Sequence, residues 1–166
     1  MSKPYFYIKS QGRGIETRGV TSYFRGHKIP RENGTRPDGI YAEWFWDGKS
    51  LTAGNDRYGL HPMFYCQTRD EVILSPSIRE ILAQGAPNEF DHDALAVFLR
   101  LGFFVGDDTP FEHIKALPPN AAFLYENGAL TVSGGYALRD PIQISDDDAI
   151  DRYIPLFQQA IKRRLP

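Results

Sequence analysis

Three kinds of side chain in this 166-residue chain could do chemistry: an Asp-Arg pair in a glycine-containing loop, one thiol and four imidazoles. Asp56 and Arg57 sit in Ala53-Gly54-Asn55-Asp56-Arg57-Tyr58-Gly59-Leu60-His61-Pro62-Met63-Phe64-Tyr65, between two apolar runs, where they suit either an active-site loop or a turn. Cys66 is alone, so neither an intrachain disulfide nor a cysteine zinc site can form, and its place on an apolar strand predicts a small buried hydrophobe. His27, His61, His92 and His113 never recur at i, i+3 or i+4 or beside the cysteine, which argues against a metal site. Gly12-Arg13-Gly14 lacks the third glycine and following helix of a dinucleotide fingerprint. Ser133-Gly134-Gly135 follows a hairpin and leads to no helix, so it reads as a strand end and not a phosphate loop.

The elements that must position these residues are strands first and helices later. Tyr5–Lys9 and Gly19–Phe24 read as strands, followed by turn chemistry at Asn33-Gly34-Thr35-Arg36-Pro37-Asp38-Gly39. From Ile40 to Trp46 the residues alternate, and Asp47-Gly48 predicts a hairpin returning through Ser50–Ala53. Pro62–Cys66 and Glu71–Leu74 form a second expected pair, and Ala122–Glu126 and Ala129–Ser133 flank the strong turn signal Asn127-Gly128. Ser77 and Glu80 have capping-box spacing at the head of a short helix that stops near Gly85. Asp91 caps a second helix ending at Gly102, with Asp93 and Arg100 suited to its dipole. A polar linker over 139–148 leads into an amphipathic helix carrying Ile150, Tyr153, Ile154, Phe157, Ile161 and Leu165, in which Pro155 predicts a kink or a late start.

Composition bounds the function. With 42% hydrophobic and 13% aromatic residues, the chain holds one ordinary core and about one domain. No apolar run reaches the roughly 18 residues of a membrane helix and no secretory h-region follows Met1, so the expected compartment is the cytoplasm. The net charge of −2 is uneven: the first 37 residues carry eight Lys and Arg against two Glu, or +6, leaving −8 for the rest. Those charges are scattered among aromatic strand residues and form no basic helical stripe, which argues against nucleic acid. Periodicity and spacing alone describe a soluble mixed α and β domain without a stated function.

From Ile40 to Tyr136 the order of features resembles the N-terminal, glutaminase-type domain of asparagine synthetases and their relatives, the class II glutamine amidotransferases. The resemblance is carried by Asn55-Asp56-Arg57-Tyr58-Gly59-Leu60-His61-Pro62-Met63-Phe64-Tyr65, by Leu74-Ser75-Pro76-Ser77-Ile78-Arg79-Glu80-Ile81-Leu82, by the aspartate-capped helix at Asp91–Leu99, and by Gly106-Asp107-Asp108-Thr109-Pro110-Phe111-Glu112-His113-Ile114-Lys115-Ala116-Leu117-Pro118-Pro119. It implies an α+β fold of two packed, mostly antiparallel sheets flanked by helices, a reduced Ntn-hydrolase-like αββα sandwich over 1–137. Residues 138–166 would then be a linker and helix leading to a synthetase domain.

The departures from the family are equally specific. Such glutaminases place a cysteine at the mature N-terminus, with its own α-amine as base, whereas this chain has Ser2 there and no cysteine before Cys66. Asn55 stands where Arg is usual, and the 39 residues before Ile40 are about half the length that normally carries the glutamine-binding elements. The resemblance therefore implies a glutaminase-inactive scaffold with no catalytic residue and no cofactor of its own. Asp56, Arg57, Gly59 and Pro62 would form a structural or interdomain loop. ATP and Mg²⁺ would belong to an asparagine synthetase-type C-terminal domain on the same polypeptide, a homo-oligomer being compatible. Two other readings stay open: a free-standing binding module with a basic N-terminal segment, and an N-terminal-nucleophile hydrolase using Ser2.

Overall fold

The computed structural model describes residues 3–11, 14–29, 37–135 and 141–164. Ser2, Gly12-Arg13, the Asn33-Gly34 turn, Tyr136-Ala137-Leu138 and Leu165 lie outside the described residues. Among the described residues, ten strands and three helices follow in order: β1 Phe6–Gln11, β2 Gly14–Gly19, β3 Ser22–Ile29, β4 Asp38–Trp46, β5 Ser50–Asn55, β6 Phe64–Gln67, β7 Glu71–Ser75, α1 Ile78–Ala83, α2 His92–Leu101, β8 Ile114–Ala116, β9 Ala122–Glu126, β10 Ala129–Ser133 and α3 Asp146–Lys162. They make two five-stranded sheets, ordered β2-β1-β7-β6-β8 and β10-β9-β5-β4-β3, in which every pairing is antiparallel. The α+β sandwich expected from the sequence is the fold found.

Alternation decides which side chains meet between the sheets. Phe6, Ile8, Val72 and Leu74 of the first sheet, with Met63 beside them, pack against Ala42, Trp44, Leu51, Ala53, Phe123 and Tyr125 of the second. Trp44 locks β3 to this core: its ring lies 4.3 Å from that of Tyr23, and Nε1 donates to the Val20 carbonyl at 2.8 Å. On the other face of the first sheet, Tyr7, Cys66, Ile73 and Ile114 pack under Ile81 of α1. The outer face of the second sheet presents Phe24, Phe45 and Leu124 to solvent.

Several local expectations are revised. The single strand expected at Gly19–Phe24 is a junction between β2 and β3. Gly19 ends β2 at φ +94°, in a position where a Cβ would lie 2.1 Å from the Tyr5 carbonyl oxygen, so only glycine lets the chain turn there. β8, three residues long, is too short for periodicity to reveal and exists because it pairs with β6. Ser77 is the N-cap of α1 but makes no side-chain cap bond; Glu80 instead accepts from Gln84. Pro155 lies inside α3, which begins at Asp146 and not near the proline, because Ser145 accepts from the Asp148 amide and caps the earlier start. Asp91 and Gly102 cap α2 as expected, the latter at φ +81°. No helix among the described residues is long and apolar enough to cross a membrane.

Candidate functional site

β5 carries the chain out of the second sheet, and its last residue starts the Asp-Arg loop. Asn55 and Asp56 are both 1% exposed. The Asp56 amide donates to the Tyr41 carbonyl at 2.8 Å, extending the β4–β5 ladder by one step. Its carboxylate then turns the chain: Oδ1 accepts from the Tyr58 amide at 2.8 Å, and Oδ2 accepts from the Tyr41 and Leu60 amides, both at 3.2 Å. Gly59 completes the turn at φ +63°, donating to the Asp56 carbonyl at 3.1 Å. A Cβ on Gly59 would meet Pro119 Cα at 3.3 Å, so the turn also lies against a second loop.

That second loop is Leu117–Ala121, and Asn55 holds it from both sides. Its Nδ2 donates to the Pro118 carbonyl at 2.9 Å while its Oδ1 accepts from the Ala121 amide at 2.8 Å. The Asp56 carbonyl accepts from the Asn120 amide at 2.9 Å, and Leu117 donates to Met63 at 2.8 Å. The loop after β5 and the Leu-Pro-Pro segment, more than fifty residues apart in the chain, are one hydrogen-bonded unit.

The other quoted segments are anchored in the same manner. Thr109, 1% exposed, donates from Oγ1 to the Ile114 carbonyl at 2.6 Å and accepts from the Phe111 amide at 3.1 Å. Lys115 reaches Asp108 at 3.4 Å and Asp91, the cap of α2, at 3.8 Å. Ser75 donates to the Pro4 carbonyl at 2.8 Å and accepts from the Ser77 amide, tying the start of β1 to the approach of α1.

This geometry decides what the loop can do. The Asp56 carboxylate is sealed from solvent and directed at three backbone amides, so it holds a turn and is not placed to exchange protons with a substrate. Arg57 and Pro62 are exposed, the guanidinium 5.8 Å from the Tyr58 ring centroid. Asp56 and Gly59 thus act inside the fold, while Arg57 and Pro62 face outward. Asn55 carries a structural role that the sequence reading did not assign: its departure from the usual Arg was visible, its two partners on a distant loop were not. Among the described residues, no three His, Cys, Asp or Glu side chains converge as a metal site would require.

The thiol lies elsewhere. Cys66 is 1% exposed on the α1 side of the first sheet, and burial pushes its pKa up to about 11. Near it in the same sheet, Glu71 accepts from the Tyr7 hydroxyl at 2.9 Å and pairs with Lys9 at 2.8 Å, and the Arg18 guanidinium stacks 3.9 Å from the Tyr7 ring centroid. The Lys9 bond lowers the Glu71 pKa. A carboxylate depressed on folding stabilises the native state above its unfolded pKa of about 4.3, and that stability is lost as pH falls through the folded value. Glu71→Gln should therefore be less stable than the parent at neutral pH, with the gap closing as pH drops from roughly 5 to 3 in thermal melts. A gap that stays constant over this window would mean that the pair contributes nothing.

The β3–β10 framework, with its clamped loops after β5 and before β9, coincides with a region of known sequence type: residues 26–136 match the glutamine amidotransferase domain family. The chain belongs to that family. It is also similar to asparagine synthetase [glutamine-hydrolyzing] 1 of Bacillus subtilis (strain 168), with 21% identity over 139 residues, covering 81% of this chain and 22% of the relative. The chain thus spans about a fifth of the length of that synthetase. All four quoted segments of the amidotransferase domain fall within the matched region, whereas β1, β2 and α3 lie outside it.

Proposed function

We propose that this amidotransferase domain is glutaminase-inactive and serves as the scaffold of an asparagine synthetase-type domain on the same polypeptide. One observation carries the reading. The only thiol in the 166 residues is Cys66, which is sealed under α1 with its pKa raised to about 11. The nucleophile usual in this family is an accessible cysteine thiolate beside a base. Cys66 is buried from solvent, and its raised pKa keeps it as the thiol near neutral pH. The clamped loops favour a structural role over chemistry at Asp56. ATP and Mg²⁺ would be bound by the synthetase-type domain, which supplies carboxylate adenylation; the residues described here supply rigidity.

Incubation of the chain with L-glutamine is expected to release ammonia at the rate of buffer alone, and iodoacetamide is expected to alkylate Cys66 only in denaturant. Glutamine hydrolysis above background that survives Cys66→Ser would point to a different nucleophile and overturn the inactive reading. In the native polypeptide, amide formation should run on an added amine or ammonia and not on glutamine. Equal use of glutamine would overturn the scaffold role.

A further inference from the structure

The register of β3, β4, β5 and β9 fixes which side chains the second sheet turns away from the core. One row across it is Ser22, Phe45, Thr52 and Leu124, and the next is Phe24, Glu43, Gly54 and Ala122. The row between them, Tyr23, Trp44, Ala53 and Phe123, enters the core, so both flanking rows share the outer face. Bulk is unevenly placed on that face. Phe24 and Phe45 stand on β3 and β4, 52% and 55% exposed, while Thr52, Gly54 and Ala122 leave a trough over β5 and β9. Rings and trough together line a groove of about 580 Å³. Among the described residues, α1 packs on the other sheet and α3 buries none of its side chains, so the groove stays open.

The two rows complement themselves. A two-fold axis along the strands, midway between β4 and β5, lays β4 of one copy over β5 of the other and β3 over β9. Phe45 then stands over Thr52, Phe24 over Ala122, Glu43 over Gly54 and Leu124 over Ser22, a large side chain over a small one each time. The symmetry makes every contact twice, as an isologous interface requires. Strand directions stay aligned, and a sheet separation of about 10 Å holds one layer of interdigitating side chains. Charge agrees with shape. Identical faces oppose like charges unless these are neutralised, and here Glu43 pairs with Lys28, whose ammonium also lies 4.7 Å from the Tyr41 ring centroid.

We infer that this protein forms a symmetric dimer through the outer face of its second sheet, with Phe24 and Phe45 of each copy seated in the trough of the other. An unrelated partner would not require large side chains on one half of the face to match small ones on the other half. A second copy does, because the same register supplies both halves. The dimer does not depend on the function proposed above.

Sedimentation equilibrium of the 166-residue chain should show monomer and dimer in exchange. Phe24→Asp removes a ring and Ala122→Arg fills the trough; both positions are exposed, and each change should weaken the dimer about tenfold or more. Phe103→Asp, exposed outside both sheets, should leave it unchanged. A double variant, Ser22→Cys with Leu124→Cys, tests the register while keeping both phenylalanines, and Cys66 is buried. Three strand spacings, roughly 14 Å, separate the two positions in one chain, whereas the inferred packing brings each within about 10 Å of the other in the partner copy. A bismaleimide of that shorter span should give a covalent dimer from the double variant and from a mixture of the two single variants, but from neither single variant alone. A monomer at every concentration overturns the dimer. Self-association that survives both Phe24→Asp and Ala122→Arg, or that gives no cross-link in the double variant, overturns this face. Slow maleimide labelling at Ala122→Cys in a monomeric native polypeptide assigns the face to another domain and overturns the dimer as well.

Discussion

Asp56→Ala lowers the unfolding free energy by about 3–5 kcal/mol, the largest loss expected from any single change in the loop. Three backbone amides, those of Tyr41, Tyr58 and Leu60, donate to its two carboxylate oxygens, and the residue is 1% exposed, so water cannot replace the acceptor without opening the turn. Against a typical domain stability of about 5–15 kcal/mol, this removes a large share of the whole. Urea unfolding followed by tryptophan fluorescence reads it directly, since Trp44 lies in the adjoining core. Asp56→Asn should fall between parent and Ala, because one amide oxygen still accepts while the amino group opposes the donors that faced the other. Arg57→Ala, at an exposed position, should shift the midpoint by no more than about 0.5 kcal/mol. A loss below about 1 kcal/mol for Asp56→Ala would mean that the carboxylate is not the organiser of the loop.

Asn55→Leu is expected to cost about 2–4 kcal/mol by another route. Leucine conserves the volume of the side chain but leaves the Pro118 carbonyl and the Ala121 amide without the amide group that now satisfies both. The damage should be directional. The Ala121 amide should exchange with solvent much faster than in the parent, while amides of β1 and β7 keep their protection, because that pairing does not pass through the clamp. Uniform loss of protection across both sheets would show instead that Asn55 supports the core as a whole. Restoring arginine, the residue usual at this position in the family, should not rescue the variant: a guanidinium has donors only and cannot accept from Ala121.

The strands around Trp44 and Phe123, the hairpin at Asn127-Gly128 and the caps of α2 were legible because each is a local preference. Alternation of period two, positive φ at Asn and Gly, and an aspartate before a helical run act over a few residues. β8 and the β2–β3 junction were not legible. Three residues at Ile114–Ala116 become a strand by pairing with β6, some fifty residues earlier, and Gly19 ends β2 because the Tyr5 carbonyl stands where a Cβ would go. The start of α3 at Asp146 was visible in its acidic first turn, yet Pro155 suggested a later one. A cap at Ser145 and the remaining helical bonds outweighed the single bond that proline removes.

For the candidate site the division is equally physical. Residue types and their order along the chain pointed to a glutamine amidotransferase-type framework, because family order is a property of a linear string. The sequence also marked Asp56 and Gly59 as turn residues, since a short acceptor and a residue tolerant of positive φ act on their immediate neighbours. Only the tertiary structure decided that Asn55 clamps Pro118 and Ala121, that α1 is the element covering the Cys66 whose burial the sequence predicted, and that Leu99 and Phe103 stand in solvent. Each of these depends on which distant segment arrives at a given face of a sheet or helix. That arrival is governed by the packing of the whole chain, on which the identity of one residue places no local constraint.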